Sequence, residues 1–424
     1  MDFLTELKWR NLVHQTTDDQ LGPWLAEKSR IVYAGFDPTA ESLHVGHLLP
    51  LSMLRRFQHA GHKPIALVGG ATGMIGDPSG KSAERNLLSR ETLESNVAGM
   101  KSQMERLLRF DDSPTSAELV NNIDWIGKFN YIDFLRDVGK NSPVNVMMAK
   151  ESVKARLERD DVGLSYTEFS YMLLQAYDFV HLYRQHGCEL QIGGSDQWGN
   201  ITAGIDLARR MEGAHLRGLT CPLLTKADGT KMGKTESGAV WLSAERTSPY
   251  KFYQYWLNVD DADAGGCLRM LTELSPQEIE SLDTQRREAP ERRESQRRLA
   301  ESLTQLIHGE TGLAAAQRAT EIFFGGEIDN LNDQQLNEIF TDVPSHQMPR
   351  GVLSEGLAIA DALVASGLSK SKGEARRTIE QGGAYVNNRR VPQPTTILTA
   401  TDLASESVMV LRTGRKNYAL LKFG

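Results

Sequence analysis

Ile31-Val-Tyr-Ala-Gly-Phe-Asp-Pro-Thr39, with His44-Val-Gly-His47 a few residues further on, is the stretch whose reading decides the fold. The run from Ile31 to Phe36 is short and apolar and ends at Asp37-Pro38, which reads as a buried strand leaving a sheet. A helical pattern follows from about Leu43 to His59, and a second apolar run, Pro64 to Gly69, stops in Gly69-Gly-Ala-Thr-Gly73. Strand, helix and strand in so short a span make a βαβ unit, which predicts a parallel sheet with a right-handed crossover. Ligands bind such sheets at the carboxyl ends of the strands, where both motif-bearing segments fall.

Outward from that unit, residues 90–190 are mainly helical in pattern. Glu189 to Ile192 reads as a further strand running into Gly193-Gly-Ser-Asp196, and an apolar stretch near Leu219–Leu224 precedes the polar loop Lys226–Ser237. Beyond Pro249 helical periodicity continues to about Gly325. Residues 326–350 are polar and acidic, hold Pro344 and Pro349, and read as a linker. From Gly351 a small module begins, with helices to Gln381 and then Gly382-Gly383 and short strands. The expected class is α/β. A Rossmann-like parallel-sheet domain covers 1–245, with a helical insertion at about 115–190. An α-helical domain covers 246–325, and a small α+β module covers 351–424 after the linker.

At 424 residues, 40% hydrophobic and 24% charged, the chain suits two or three globular domains. Its net charge of −7 is unevenly placed. Residues 351–424 carry 10 Lys+Arg against 6 Asp+Glu, so the terminal module is basic and the remainder acidic. A local basic surface is all that phosphate contacts require, so an RNA partner is permitted despite the acidic total. Cys188, Cys221 and Cys267 lie far apart without a C-x-x-C spacing, and neither zinc nor a disulfide framework is expected. Met1 to Gln15 mixes Asp2, Glu6, Lys8 and Arg10 among apolar residues, an amphipathic helix rather than a signal peptide. No run is long enough to span a membrane, and a cytoplasmic chain is expected.

Two constellations carry chemistry. His44 and His47 lie three apart at a helix start, on one face, beside backbone N–H groups that attract phosphate. Gly46 removes a side chain where a nucleotide would come close. Alone, H-x-G-H is as readily a solvated helix face, and no third ligand supports a metal. The second is Lys231-Met-Gly-Lys-Thr235 within a polar loop. Two lysines flanking a glycine can swing onto a polyphosphate as charge develops there. A lone lysine pair is usually a solvated loop; the upstream histidines make that reading improbable.

With these two motifs the chain resembles the class I aminoacyl-tRNA synthetases, His44–His47 being similar to the HIGH motif and Lys231–Thr235 to KMSKS. The tyrosyl branch is indicated by Tyr33-Ala-Gly-Phe-Asp-Pro-Thr, Gly76-Asp77-Pro-Ser-Gly-Lys81, Tyr171-Met-Leu-Leu-Gln175-Ala-Tyr-Asp178 and Gln191-Ile-Gly-Gly-Ser-Asp196-Gln197. That resemblance implies that Tyr33 and Asp178 bind the phenolic OH of tyrosine, that Tyr171, Gln175 and Asp77 hold its α-ammonium, and that Gln191 belongs to the same subsite. It assigns Gly35, Asp37, Gly46, Gly193, Asp196 and Gln197 to the adenosine or the activated intermediate. Thr39, His44, Lys231, Lys234 and Thr235 would face the pyrophosphate, and His47 the ribose. ATP is then a substrate, Mg²⁺ arrives on its phosphates, and tRNA(Tyr) is the acceptor. The terminal module resembles an S4-type RNA-binding domain, with Lys370, Lys372, Arg376 and Arg377 toward RNA. The helical segment would read the anticodon and the insertion would form a homodimer.

The residue spacing agrees with these roles. Tyr171, Gln175 and Asp178 sit at i, i+4 and i+7, so one face of one helix presents all three. A site that pairs a substrate hydroxyl rejects the analogue lacking it, because buried polar groups are then left unpaired. The span between His47 and Lys231 holds a helical insertion but hardly a separate editing domain. Ala34 stands where many relatives carry cysteine, and Pro50 is expected to distort its helical turn slightly. Three rivals are a tryptophanyl enzyme, which needs no partner for a phenol, a stand-alone nucleotidylyltransferase, which needs no S4-like tail, and a non-catalytic RNA-binding paralogue.

Overall fold

The computed structural model describes residues 2–76, 89–150, 153–154, 164–235, 238–328, 331–341 and 343–424. It divides into two compact units, one of residues 1–246 and 258–299 and the other of 247–257 and 300–424.

The first unit is built on a six-stranded sheet. Its strands are β1 (Gln15–Thr16), β2 (Ile31–Phe36), β3 (Lys63–Val68), β4 (Glu118–Asn121), β5 (Leu190–Gly194) and β6 (Arg217–Cys221). Their order is β1-β6-β5-β2-β3-β4, parallel throughout except for the antiparallel edge strand β1. The expected βαβ unit is present, with β2 and β3 paired in register from Ile31↔Lys63 to Phe36↔Val68. The edge strands β1 and β4 were not expected. β1 has two residues and β4 is half-exposed, so neither carries an apolar signal.

Ahead of Pro249 the described residues of this unit form the helices α1 (Phe3–Trp9), α2 (Leu21–Glu27), α3 (Leu48–His59), α4 (Thr72–Ile75), α5 (Arg90–Leu107), α6 (Ile123–Ile126), α7 (Tyr131–Asp137), α8 (Val144–Met148), α9 (Tyr166–His186) and α10 (Trp198–Glu212). α3 buries Leu49, Leu51, Met53, Leu54 and Phe57. α9 and α10 contribute Ala176, Phe179, Val180, Leu182, Leu207 and Ala208 to a core shared with Tyr33, Ile65 and Leu67 of the sheet. α9 starts in a capping box, Ser165 Oγ accepting from Glu168 N–H at 3.2 Å, and ends where Gly187 takes φ +67°. Pro50 is the third residue of α3, in the first turn where a missing N–H costs no intrahelical bond, so it leaves that turn undistorted.

Chain order sets the place of the site. After β2 and β3 the chain adds β4 on one side, then crosses to β5 and β6 on the other. β2 and β5 are therefore the strands between which direction reverses, and a crevice opens at their carboxyl ends.

After Pro249 come α11 (Pro249–Leu257), α12 (Asp261–Leu271), α13 (Pro276–Glu288) and α14 (Glu294–Phe323), the last interrupted at Gly309, φ +73°. α12 and α13 fall in the first unit and α11 in the second. Arg286 pairs with Asp283, and Arg293 donates to the Val259 carbonyl at 3.0 Å, so both arginines serve the fold.

The second unit carries a five-stranded sheet that includes Ser345–Met348, Ala384–Val386, Arg389–Arg390, Val408–Thr413 and Asn417–Phe423. The stretch 326–350, expected as a linker, holds the helix Asp333–Ile339 and the first of those strands, with Leu336, Ile339 and Phe340 buried. Its polar, proline-containing composition hid those few apolar anchors. Asn387 and Asn388, both at positive φ, close the hairpin between the second and third of those strands.

Candidate active site

The crevice at the β2–β5 reversal is a cavity of about 330 Å³. β2 supplies Tyr33 and Gly35 and runs straight into Asp37 and Thr39. α9 supplies Tyr171, Gln175 and Asp178 from one face. β5 and the turn after it supply Gln191, Gly193, Asp196 and Gln197, and the segment before α3 supplies His44, Gly46 and His47. Fourteen residues expected from four separated stretches of sequence thus meet in one cavity.

At its deepest point Asp178 is only 2% exposed and Tyr33 1%. Asp178 Oδ1 accepts from Trp125 Nε1 at 2.8 Å and Oδ2 from Asn122 Nδ2 at 3.0 Å. Burial nevertheless raises its pKa to about 7, against those two donors and with a further push from the charge of Asp37. The Tyr33 hydroxyl is buried and has no hydrogen-bond partner among the described residues. Desolvation, followed by the nearby charge of Asp178, holds its pKa well above the ordinary tyrosine value. An orphaned buried hydroxyl is costly unless something that enters the cavity pairs with it.

A hydrogen-bonded chain runs from this end to the other. Asn122 also donates to Thr72 Oγ1 at 3.0 Å, Thr72 donates to Asp37 Oδ1 at 3.1 Å, and the Tyr171 hydroxyl donates to Asp37 Oδ2 at 3.1 Å. Thr72, Asn122 and Trp125 carried no signal in the sequence, because each acts through a partner more than thirty residues away. Gln175 Nε2 donates to Gln197 Oε1 at 3.3 Å, joining α9 to the turn after β5.

The histidines sit on a single 3-10 turn, Val45–His47, for which His44 is the cap. His44 Nδ1 accepts from the Gly46 N–H at 3.0 Å, and His47 Nδ1 accepts from the His44 N–H at 3.1 Å. With Nδ1 an acceptor in each neutral ring, the proton rests on Nε2. Desolvation lowers both pKa values, His47 to about 3, and the charge of Lys234 adds to the effect on His44. At neutral pH the pair presents two N–H donors and no positive charge. Gly46 has a local reason too, since a Cβ there would stand 2.8 Å from His44 Cε1.

Lys231 and Lys234 do not line the cavity; they are exposed on the loop after β6. That loop is tied to the histidine segment by backbone, Val240 N–H to Gly233 O at 2.8 Å and Val45 N–H to Val240 O at 2.9 Å. The side chain of Thr235 and the whole of Asp77, with Lys81 of the same motif, lie outside the described residues. Lys370, Lys372, Arg376 and Arg377 belong to the other unit, all exposed, at and just after the N-terminus of the helix Lys372–Glu380. Among the described residues no helix is long and apolar enough to cross a membrane.

Comparison with known proteins gives two family matches. Residues 25–325 match the class I tRNA synthetases (W and Y), and residues 335–421 match a tyrosine–tRNA ligase SYY-like C-terminal domain. A tyrosine–tRNA ligase of Rhodopirellula baltica is 58% identical over 421 residues, spanning 99% of this chain and 96% of that protein. One from Geobacillus stearothermophilus is 53% identical over the full length of both. A C-terminally truncated mitochondrial tyrosyl-tRNA synthetase from Aspergillus nidulans superposes with a TM-score of 0.69 at 32% identity, covering 76% of this chain and 93% of that one.

Proposed function

The chain belongs to the class I tRNA synthetases for tryptophan and tyrosine, and from that premise we propose that it activates L-tyrosine with ATP and transfers it to the terminal adenosine of tRNA(Tyr). One observation carries the choice of amino acid: a buried tyrosine hydroxyl, without a partner among the described residues, stands beside a buried carboxylate in the cavity floor. A phenol entering there donates to Asp178 and accepts from Tyr33, satisfying both. An indole offers one N–H and nothing for the Tyr33 hydroxyl to donate to, which disfavours the tryptophanyl alternative.

The α-ammonium sits against Tyr171 and Gln175 with Asp77, and Gln191 closes the subsite. The nucleotide lies over Gly35, Gly46 and Gly193, where no side chain intervenes, with Asp37, Asp196 and Gln197 as polar contacts. MgATP is the substrate, and the tyrosine carboxylate attacks its α-phosphorus in line as pyrophosphate leaves. Neutral His44 donates from Nε2 to the departing phosphates together with Thr39, Lys231, Lys234 and Thr235, while His47 faces the ribose. Catalysis is positioning plus charge stabilisation, and no side chain need remove a proton.

The same reading makes the protein a cytoplasmic homodimer. Ile132, Val144 and Met148 of α7 and α8, with Tyr131 and Tyr166, leave an apolar surface exposed that a second copy would cover. The basic helix start at Lys370, Lys372, Arg376 and Arg377 is taken as an RNA contact. Charging of a tRNA(Tyr) transcript with labelled tyrosine tests the whole reading. Adenylate formation without transfer would refute the ligase step.

A further inference from the structure

Lys231 and Lys234 are held in place through their neighbours. Between them, Met232 is buried with its Sδ 3.5 Å from the Sγ of buried Cys267. Gly233 takes φ +84° and packs so closely that a Cβ would lie 2.7 Å from Val45 Cβ. Just ahead of them, the backbone N–H of Ala227 donates to Asp263 Oδ1 at 2.6 Å. Asp263 and Cys267 are i and i+4 on α12, so one face of that helix meets the lysine loop twice. The other end of α12 is joined to the helix that follows the histidines. Arg56 of α3 donates to the Thr272 carbonyl, and Arg55 pairs with Glu273. Buried Arg10 donates to the Leu274 carbonyl at 2.9 Å, fixing the same end. α12 therefore connects the lysine loop to α3, and through it to the turn carrying His44.

We infer that Asp263 and Cys267 are positioning residues for tyrosine activation: α12 seats the loop through Ala227 and Met232 and so sets where Lys231 and Lys234 stand relative to His44. The inference rests on the proposed role of the two lysines toward pyrophosphate and adds the element that places them. Lysine side chains are long and rotamer-rich, so they bring charge without placement. A loop already ordered before the nucleotide arrives spares the ordering cost at the moment charge develops, and small misplacements are costly in rate.

The test is single-turnover tyrosine activation by the full-length Asp263→Ala and Asp263→Asn variants, with tyrosine affinity from equilibrium dialysis and hydrogen exchange over 226–234. Removing the acceptor slows activation roughly tenfold or raises the ATP KM correspondingly, changes tyrosine affinity by less than about twofold, and speeds exchange in the loop. Asparagine keeps an acceptor for Ala227 and restores activation. Wild-type activation by Asp263→Ala overturns the inference, as does an equal loss in Asp263→Asn or a parallel loss of tyrosine affinity. If the alanine variant does not fold, Cys267→Leu, which overfills the seat of Met232, replaces it; the same split is expected, and an unchanged rate is fatal. Lys231→Ala and Lys234→Ala run alongside. Wild-type activation by both removes the reading of the lysines, whereas their failure beside an active Asp263→Ala removes only the role of α12.

Discussion

Two donors hold Asp178 in place, and burial works against its charge. A carboxyl whose pKa is raised to about 7 loses its ionised form as pH falls through that value, and with it the best acceptor for a phenol. We therefore expect kcat/KM for tyrosine to decline as pH is lowered from 8 to 6, read from a pH profile of tyrosine activation. A flat profile would show that Asp178 does not accept the phenol as a carboxylate. Tyr33→Phe removes the uncharged hydrogen bond proposed between this residue and the substrate phenol and should cost about 1 kcal/mol, lowering kcat/KM for tyrosine roughly fivefold with phenylalanine activation hardly changed. A parallel loss for both amino acids would point to packing instead. Tyr33 and Asp178 were legible in the sequence because each lies in a motif at a strand or on a helical stripe. Trp125 and Asn122 were not, because nothing in a linear chain announces that a distant indole N–H and amide will converge on one carboxylate.

Among elements, the loop after β6 is the most sensitive to backbone change. Gly233→Ala places a methyl against Val45 and asks a non-glycine residue to hold φ +84°. Tyrosine activation should fall at least tenfold while tyrosine affinity is kept, and a variant with normal activation would show that the loop's seat on the histidine turn is dispensable. On α7 and α8, an acidic residue in place of exposed Ile132 or Val144 should shift the protein toward monomer in sedimentation analysis; an unchanged sedimentation profile would place the interface elsewhere. Elements with a strong period were legible: β2 ends where its apolar run ends, and α9 presents the stripe expected of it. The short strand β1 and half-exposed β4 were not, since their stability comes from the neighbours that pair with them.

At the scale of the whole chain, charge and chemistry are segregated. The acidic first 350 residues carry the cavity, and the basic terminal module carries Lys370, Lys372, Arg376 and Arg377. Replacing those four by alanine should weaken tRNA charging and lessen its salt dependence, each lost phosphate contact removing about 0.7–0.9 from the slope of log K against log salt. Tyrosine activation without tRNA should be unaffected, and charging that keeps its wild-type salt dependence would place the RNA contact elsewhere. The architecture of the catalytic unit could be read from its βαβ start, because apolar runs ending at Asp-Pro and Gly-Gly mark strand ends directly. The assignment of tyrosine rests on fewer residues than the assignment of the enzyme class, and it is the claim most worth testing. Amino-acid-dependent exchange of pyrophosphate into ATP, run with tyrosine, tryptophan and phenylalanine, isolates it. Exchange driven by tyrosine, with tryptophan and phenylalanine near background, is the expected result; exchange with tryptophan alone, or with none of the three, would contradict it.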